Sequence, residues 1–266
     1  MTDTLPDYEI QPLTTRYART ATRIALSSSI RYFDDLELQE ADHFDGYTVD
    51  VELNIPFLHR FELDFYYPIY TEGEARLIKA GDPNFGQTID IEGDGGIFDW
   101  PSVSLEYQIL KPESPHGFNL SAFGGYGIVL ESLETSVDDL YNHKGKQFFF
   151  GARADQTFSD RLTGLFNLGG RHYYESDDIY PKDDGTDVFW FLDGSAALIW
   201  HLLERRVNPT VELVYQGDLG SYNNLHIDPQ VIFVTCQHFE IKAGGGVGLN
   251  NDGERWQARV QGTLRF

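Results

Sequence analysis

The chain is short of cysteine, of positive charge and of long apolar runs. One cysteine, Cys236, in 266 residues excludes an internal disulfide framework and leaves the redox compartment open. Lys and Arg number 20 against 42 Asp and Glu, a net charge of −22. That balance excludes a nucleic-acid partner, because neutralising phosphates takes clustered cations. No stretch of ~18 apolar residues occurs, so no helix can span a bilayer. The start, MTDTLPDYEIQPL, is polar and has no charged segment followed by an apolar one, so a secretory signal is expected to be absent from this numbering. What is plentiful is aromatic: 15 Tyr and 19 Phe, with 26 Gly, a mixture that favours strands and tight turns in one large domain.

The polarity pattern has period two. In Tyr47 to Phe57 one face holds Tyr47, Val49, Val51, Leu53, Ile55 and Phe57, and the other Thr48, Asp50, Glu52 and Asn54. After Leu58-His59 the pattern resumes, with Phe61, Leu63, Phe65, Tyr67 and Ile69 against Arg60, Glu62, Asp64 and Tyr66. This is an antiparallel hairpin with one apolar face. The same pattern places further strands near 20–33, 98–110, 117–131, 146–158, 161–174, 187–201, 207–217, 225–235, 238–249 and 254–266, about twelve in all.

Connections alternate between short turns near Leu58, Pro112, Ser159, Leu203 and Gln237 and long loops at 34–46, 72–96, 132–145 and 175–186. Outer-membrane barrels have this alternation and an even strand count. Trp190 and Trp200 share a face and are separated by ~33 Å of strand, or ~23 Å at a ~45° tilt, about the height of a lipid-facing band. Aromatics recur at both ends of the outward faces: Tyr32, Tyr47, Tyr67, Tyr126, Phe148, Tyr174 and Trp256 beside the loops, Phe57, Phe61, Phe118, Phe239 and Phe266 beside the turns. Two such girdles and strands of ~11–15 residues set the chain apart from a soluble sandwich or lipocalin-like barrel, whose strands run to ~5–6. The expected fold is all-β, a transmembrane up-and-down barrel of the bacterial outer-membrane type, with residues 20–266 as the wall and 1–19 as a periplasmic extension or plug.

The long loops hold half of the acidic residues against Arg76, Lys79, Lys144 and Lys182. None has the spacing of an EF-hand, so no metal ligands are assigned. The expected surroundings of these loops are lipopolysaccharide phosphates and their bridging cations. Inward charges need water or partners. Arg19, Arg23 and Arg31 share the polar face of the first strand, and Arg255, Arg259 and Arg265 that of the last. Closure brings the two strands together, which makes one basic stripe beside an acidic stripe of Asp50, Glu52, Glu62 and Asp64. The pair of stripes is either a transverse field across an open lumen or a salt-bridge network filling it. Phe149, Tyr173, Phe189 and Phe191 fall on the inward phase near the loop ends and form an aromatic constriction, unless bulges turn them outward.

Catalytic motifs are weak. Tyr141-Asn142-His143 resembles the tripeptide around the catalytic histidine of the outer-membrane phospholipase family, but Gly145 stands where that family has its serine, and acyl transfer needs a hydroxyl beside the base. The eight histidines show no HExxH or paired ligand spacing, and Gly169-Gly170 and Gly244-Gly245-Gly246 lie within strands, away from any phosphate-binding turn. No catalytic residue and no cofactor is assigned. The segments NPTVELVYQGDL and IDPQVIFVTCQHFEIKAGGGVGLNNDGERWQARVQGTLRF resemble the closing strands of a family of outer-membrane channels involved in the meta-pathway of phenol degradation. The likeness lies in the last third, covers about a quarter of the chain, and implies a monomeric twelve-stranded barrel that takes up small, often hydrophobic or aromatic molecules. The arginine stripe departs from a wholly greasy channel and adds small anions to the expected solutes. A non-conducting structural or adhesive barrel whose acidic loops bind a partner or cations is the second expectation, and a lipid-acting enzyme the third.

Overall fold

The computed structural model describes residues 9–36, 41–77, 85–95, 100–112, 114, 116–128, 133–135, 144–177, 188–220, 222–250 and 253–266. Among the described residues fourteen strands follow one another: β1 (Ala25–Leu36), β2 (Ala41–Phe57), β3 (Phe61–Leu77), β4 (Thr88–Gly93), β5 (Ser102–Leu110), β6 (Phe118–Ile128), β7 (Leu133–Thr135), β8 (Lys144–Ser159), β9 (Leu162–Asp177), β10 (Val188–Trp200), β11 (Val207–Gly217), β12 (Asn223–Cys236), β13 (Phe239–Gly248) and β14 (Trp256–Arg265). All of them except β4 and β7 form a closed antiparallel ring, in which β14 returns to pair with β1 through Ala25↔Arg265 to Asp34↔Trp256. Closure leaves no exposed sheet edge in the wall. The fold is an all-β, twelve-stranded barrel.

Period two sets which side chains enter the lumen. On β1, Ala25, Ser27 and Ser29 are buried while Leu26 and Ile30 are exposed, at 42% and 47%. The exposed set round the barrel is apolar: Phe65, Leu105, Phe150, Phe166, Leu198, Leu213, Phe233 and Val260 among others. The buried set is polar, with Asp50, Glu62, Asp64, Glu106, Asp155, Glu212, Glu240 and Arg265. Trp190 and Trp200 both face outward, and outward aromatics pack together at the two rims: Tyr32 with Trp256 at 5.2 Å, Tyr126 with Phe148 at 5.0 Å, Phe57 with Phe61 at 5.5 Å and Phe61 with Tyr107 at 4.9 Å. Apolar residues outside and polar inside is the arrangement of a barrel whose outer solvent is lipid.

Three expectations need correction. The first strand begins at Ala25 rather than near 20, because residues 9–24 run inside the barrel. The stretches 34–46 and 72–96 contain strand: β1 and β2 extend to Leu36 and Ala41, β3 reaches Leu77, and β4 spans Thr88–Gly93. Above Tyr66, β3 exchanges its partner β5 for β4, which in turn pairs with β7. Leu36, Phe44, Ala75, Leu77, Ile89 and Ile91 are buried on the inner side of this extension and give the loop-side rim an apolar crown. The β2–β3 turn spans Leu58, His59 and Arg60 between the paired Phe57 and Phe61 and places Leu58 and His59 in the left-handed region at φ 49° and 61°, without glycine at either position.

Candidate functional site

The N-terminal segment builds the first half of the site. From Ile24 back to Glu9 it circles the inner wall near the turn side, passing β3, β8, β9, β10, β11, β12, β13 and β14 in that order. An extended chain off the sheet has no ladder for its N–H groups, and buried ones must find acceptors. Wall side chains supply them. Glu62 accepts from Ala21 N at 2.8 Å; Asp155 accepts from Ala18 N at 2.9 Å and Arg19 N at 3.2 Å; Glu212 accepts from Thr14 and Thr15; Gln230 accepts from Leu13 N at 2.9 Å. In the opposite sense Arg259 donates to Leu13 O at 3.1 Å, Lys242 to Pro12 O at 3.5 Å, and Arg265 to Glu9 O. Glu9 meets Thr22, so the segment closes into a ring.

Two apolar pads seat the ring, Tyr17 against Leu165, Ala197 and Ile199, and Ile10 against Ile232 and Val234. Ion pairs complete it: Arg16 with Glu52, and Arg19 with Asp155 at 2.8 Å. At this level a space of about 30 Å3 remains, bordered by Arg16, Glu52, Glu62, Lys242 and Arg265, room for little more than water.

Above the ring lies a chamber of about 340 Å3. Leu13, Thr14 and Arg16 form its floor. On its wall three arginine Cζ atoms lie over phenylalanine rings: Arg31 over Phe33 at 5.5 Å from the centroid, Arg153 over Phe123 at 4.5 Å, and Arg171 over Phe149 at 5.9 Å. Arg153 also pairs with Glu106, and Arg171 with Asp193 at 3.2 Å. On the side of β12 and β14, His226 contacts Asp228 at 2.7 Å, and Asn224 donates to Glu254 at 2.9 Å. Glycine makes room for that cluster, since a Cβ on Gly246 would come within 1.9 Å of Asp228 Oδ1. A chain of rings stands at the loop side: Trp100 to Tyr173 edge-on at 5.2 Å, Tyr173 to Phe191 edge-on at 5.7 Å, and Phe191 to Tyr222 tilted at 5.7 Å, with Tyr222 on the chamber wall.

The sequence-derived site residues divide accordingly. Asp50, Glu52, Glu62 and Asp64 all point inward on β2 and β3. Asp50 accepts from Ser29 at 2.7 Å, and Asp64 from Asn54 at 2.7 Å and Ser104 at 3.3 Å. Arg31, Arg259 and Arg265 are luminal on β1 and β14. Arg19 and Arg23 are not on a strand: Arg19 belongs to the ring, and Arg23 sits at the turn end, donating to Gln237 O at 2.7 Å. Arg255 is exposed ahead of β14, where pleat alternation has not begun, and leaves the stripe. The basic stripe is therefore three arginines rather than six. Phe149 faces the chamber, Tyr173 and Phe191 are packed together, and no register shift displaces them. The side chain of Phe189 and the segment Tyr141-Asn142-His143 lie outside the described residues.

Sequence reasoning missed Glu106, Asp155, Glu212, Glu240 and Lys242, and with them the ring's anchoring. Each is a charge on the inner phase of an alternating strand, Glu106 and Glu212 alone, Asp155 beside Arg153, and Glu240 beside Lys242, which was the available signal. Among the described residues no group of three or more His, Cys, Asp or Glu is placed to hold a metal ion.

Neither a family model nor a curated protein matches the chain. Solved structures do. The translocator domain of the autotransporter NalP from Neisseria meningitidis is 12% identical at a TM-score of 0.61, covering 93% of this chain and 90% of that one. The transport unit of the autotransporter AIDA-I from Escherichia coli gives 10% and 0.59, over 98% and 94%. An outer-membrane channel from Pseudomonas putida F1 gives 10% and 0.55, over 99% of both chains. At such identities the likeness is one of fold, that of bacterial outer-membrane barrels.

Proposed function

We propose that this chain is an outer-membrane channel through which small solutes diffuse passively, standing as a monomer in the bilayer with its acidic loops among lipopolysaccharide headgroups. The observation that carries the reading is the 340 Å3 chamber, which lies between an aromatic rim and a ring hung from side chains instead of a strand ladder. A structural barrel gains nothing from a cavity lined by desolvated arginines, whereas a solute path needs polar groups at spaced positions with room between them. The apolar outer belt supports the membrane setting, and the match over nearly full length to a channel fold agrees with it. The resemblance of the last strands to phenol-pathway channels directs the choice of solutes toward small aromatic compounds. No catalytic role is proposed for any residue.

The ring itself favours a second reading, a closed barrel that does not conduct, since the cavity at its level holds about 30 Å3. Swelling of proteoliposomes in a graded series of small solutes separates the two. Entry of solutes below a sharp size limit supports the channel, and liposomes as tight as protein-free ones support the closed barrel.

A further inference from the structure

The chain has a net charge of −22, yet its turn side is positive. Among the described residues the hairpin turns carry Arg60, Lys111, Arg161, Arg205 and Arg206 against Asp160 and Glu204. Two of these cations stand side by side where the β2–β3 and β5–β6 turns touch. Arg60 Nη1–H donates to Ile109 O at 3.4 Å, and Lys111 Nζ–H donates to His59 O at 3.2 Å. Both side chains are exposed, each spends one of several N–H groups on these carbonyls, and among the described residues neither meets a carboxylate. Neighbouring cations without a counter-charge repel, and an anion between them removes the repulsion.

The apolar surroundings say where that anion lies. Phe57, Phe61 and Tyr107 pack together on the outer face where β2, β3 and β5 meet these turns. Leu58 and Leu110 stand 75% and 47% exposed at the level of the cations. Leu58 is held out by a left-handed backbone at φ 49°, a conformation that costs energy in any residue with a Cβ. The β10–β11 turn repeats the pattern, with Leu203 left-handed at φ 47° and Arg205 two residues on; there Glu204 lies between them and offsets the charge. Leucine and cation projecting together beside an aromatic girdle suit a headgroup layer, apolar on one side and charged on the other. An acidic polymer in the water beyond would be met by the cations without the leucines.

We infer that the joined β2–β3 and β5–β6 turns bind an anionic phospholipid of the inner leaflet, with its phosphate on Arg60 and Lys111 and its acyl chains along Phe57, Phe61 and Tyr107. Short turns of an outer-membrane barrel face the periplasm, which makes the partner a phospholipid. The site stands whether or not the lumen conducts.

The test is native mass spectrometry of the full chain in detergent, with phosphatidylglycerol and phosphatidylcholine of the same acyl chains in equal amount. The first lipid bound is expected to be phosphatidylglycerol by at least about fivefold, the attraction that one cation near an anionic surface supplies. Arg60→Gln combined with Lys111→Gln should bring the two lipids to within about twofold, with the folded barrel's gel mobility retained. Arg161→Gln removes the same kind of charge from the same rim and should leave the preference unchanged. Glycerol phosphate, which has the phosphate without the chains, should not displace the lipid. Equal binding of the two lipids by the unaltered protein overturns the site. So does a preference that survives the double variant, or one that falls as far in Arg161→Gln, because the overall charge of the rim would then account for it. Displacement by glycerol phosphate at concentrations like those of the lipid would overturn the lipid as occupant and leave a site for free phosphate.

Discussion

The two halves of the lumen solve the same problem by different means. On the turn side, buried charge is met by main chain and by opposite charge: Asp155, Glu212 and Glu62 take up ring N–H groups, and Arg265 sits 2.9 Å from Glu240. On the loop side, charge is met by aromatic faces and a smaller number of carboxylates, and the space is left partly empty. A half that saturates its polar groups with its own chain is a seal. A half that leaves arginines stacked on rings around a cavity can accept a guest. On the channel reading proposed above, selectivity belongs above the ring and control of passage at it.

The largest expected effect falls on the aromatic rim. Phe191→Ala removes the ring that bridges Tyr173 and Tyr222 and should destabilise the barrel by about 3 kcal/mol, read as a shift in its denaturant midpoint. An unchanged midpoint would mean the rim is loosely packed and the loop side no more ordered than the chamber. Next comes the seal. Glu212→Ala strips Thr14, Thr15 and Gln230 of an acceptor and should loosen the ring by about 1–3 kcal/mol, seen as faster amide exchange over residues 13–19 with the wall amides unaffected. If wall and ring exchange rise together, the ring is an integral part of the barrel and the contrast between seal and wall fails.

Smaller effects sharpen the charge assignment. Arg259→Ala should shift the reversal potential of the pore toward cations, whereas Arg255→Ala, exposed beyond the strand, should leave it unchanged. Equal shifts would put both residues in the solute path. The smallest effect is spectroscopic. Trp190 and Trp200, outward at opposite ends of β10, should both be quenched by lipids brominated near the headgroup more than by lipids brominated at the chain ends. Strong quenching by the chain-end probes would shift the membrane band along the barrel.

Much of this architecture was legible because a strand between two solvents writes its register in alternate residues. β2, β3 and β10 showed it, and so Asp50, Glu52, Glu62, Asp64, Arg259 and both tryptophans fell on the correct faces. The segment RTATRIAL alternates as well as any strand, yet Arg19 and Arg23 lie outside the sheet. Alternation records an extended backbone, and it cannot say whether a neighbouring strand or a side-chain carboxylate accepts the N–H groups. The acceptors of the ring lie 41 residues away at Glu62, 137 at Asp155 and 217 at Gln230, and nothing local marks them. β4 was legible but misread: Ile89 and Ile91 alternate with Asp90 and Glu92, and the density of acids made the stretch look like a solvated loop. The β2–β3 turn was legible from the break in alternation at Leu58-His59 alone, since these two residues occupy left-handed positions that glycine or asparagine usually fills.

The most direct test is single-channel recording in planar bilayers of the full chain beside a chain lacking residues 1–22. Without the ring, the turn-side lumen loses its seal while the wall from Ala25 to Phe266 keeps its pairing. The account predicts small or flickering conductance for the full chain and a stable conductance severalfold larger for the shortened one, both from barrels with the same heat-modifiable gel mobility. Equal conductance in the two, from correctly folded barrels, would contradict it, because the ring would then not be what closes the lumen.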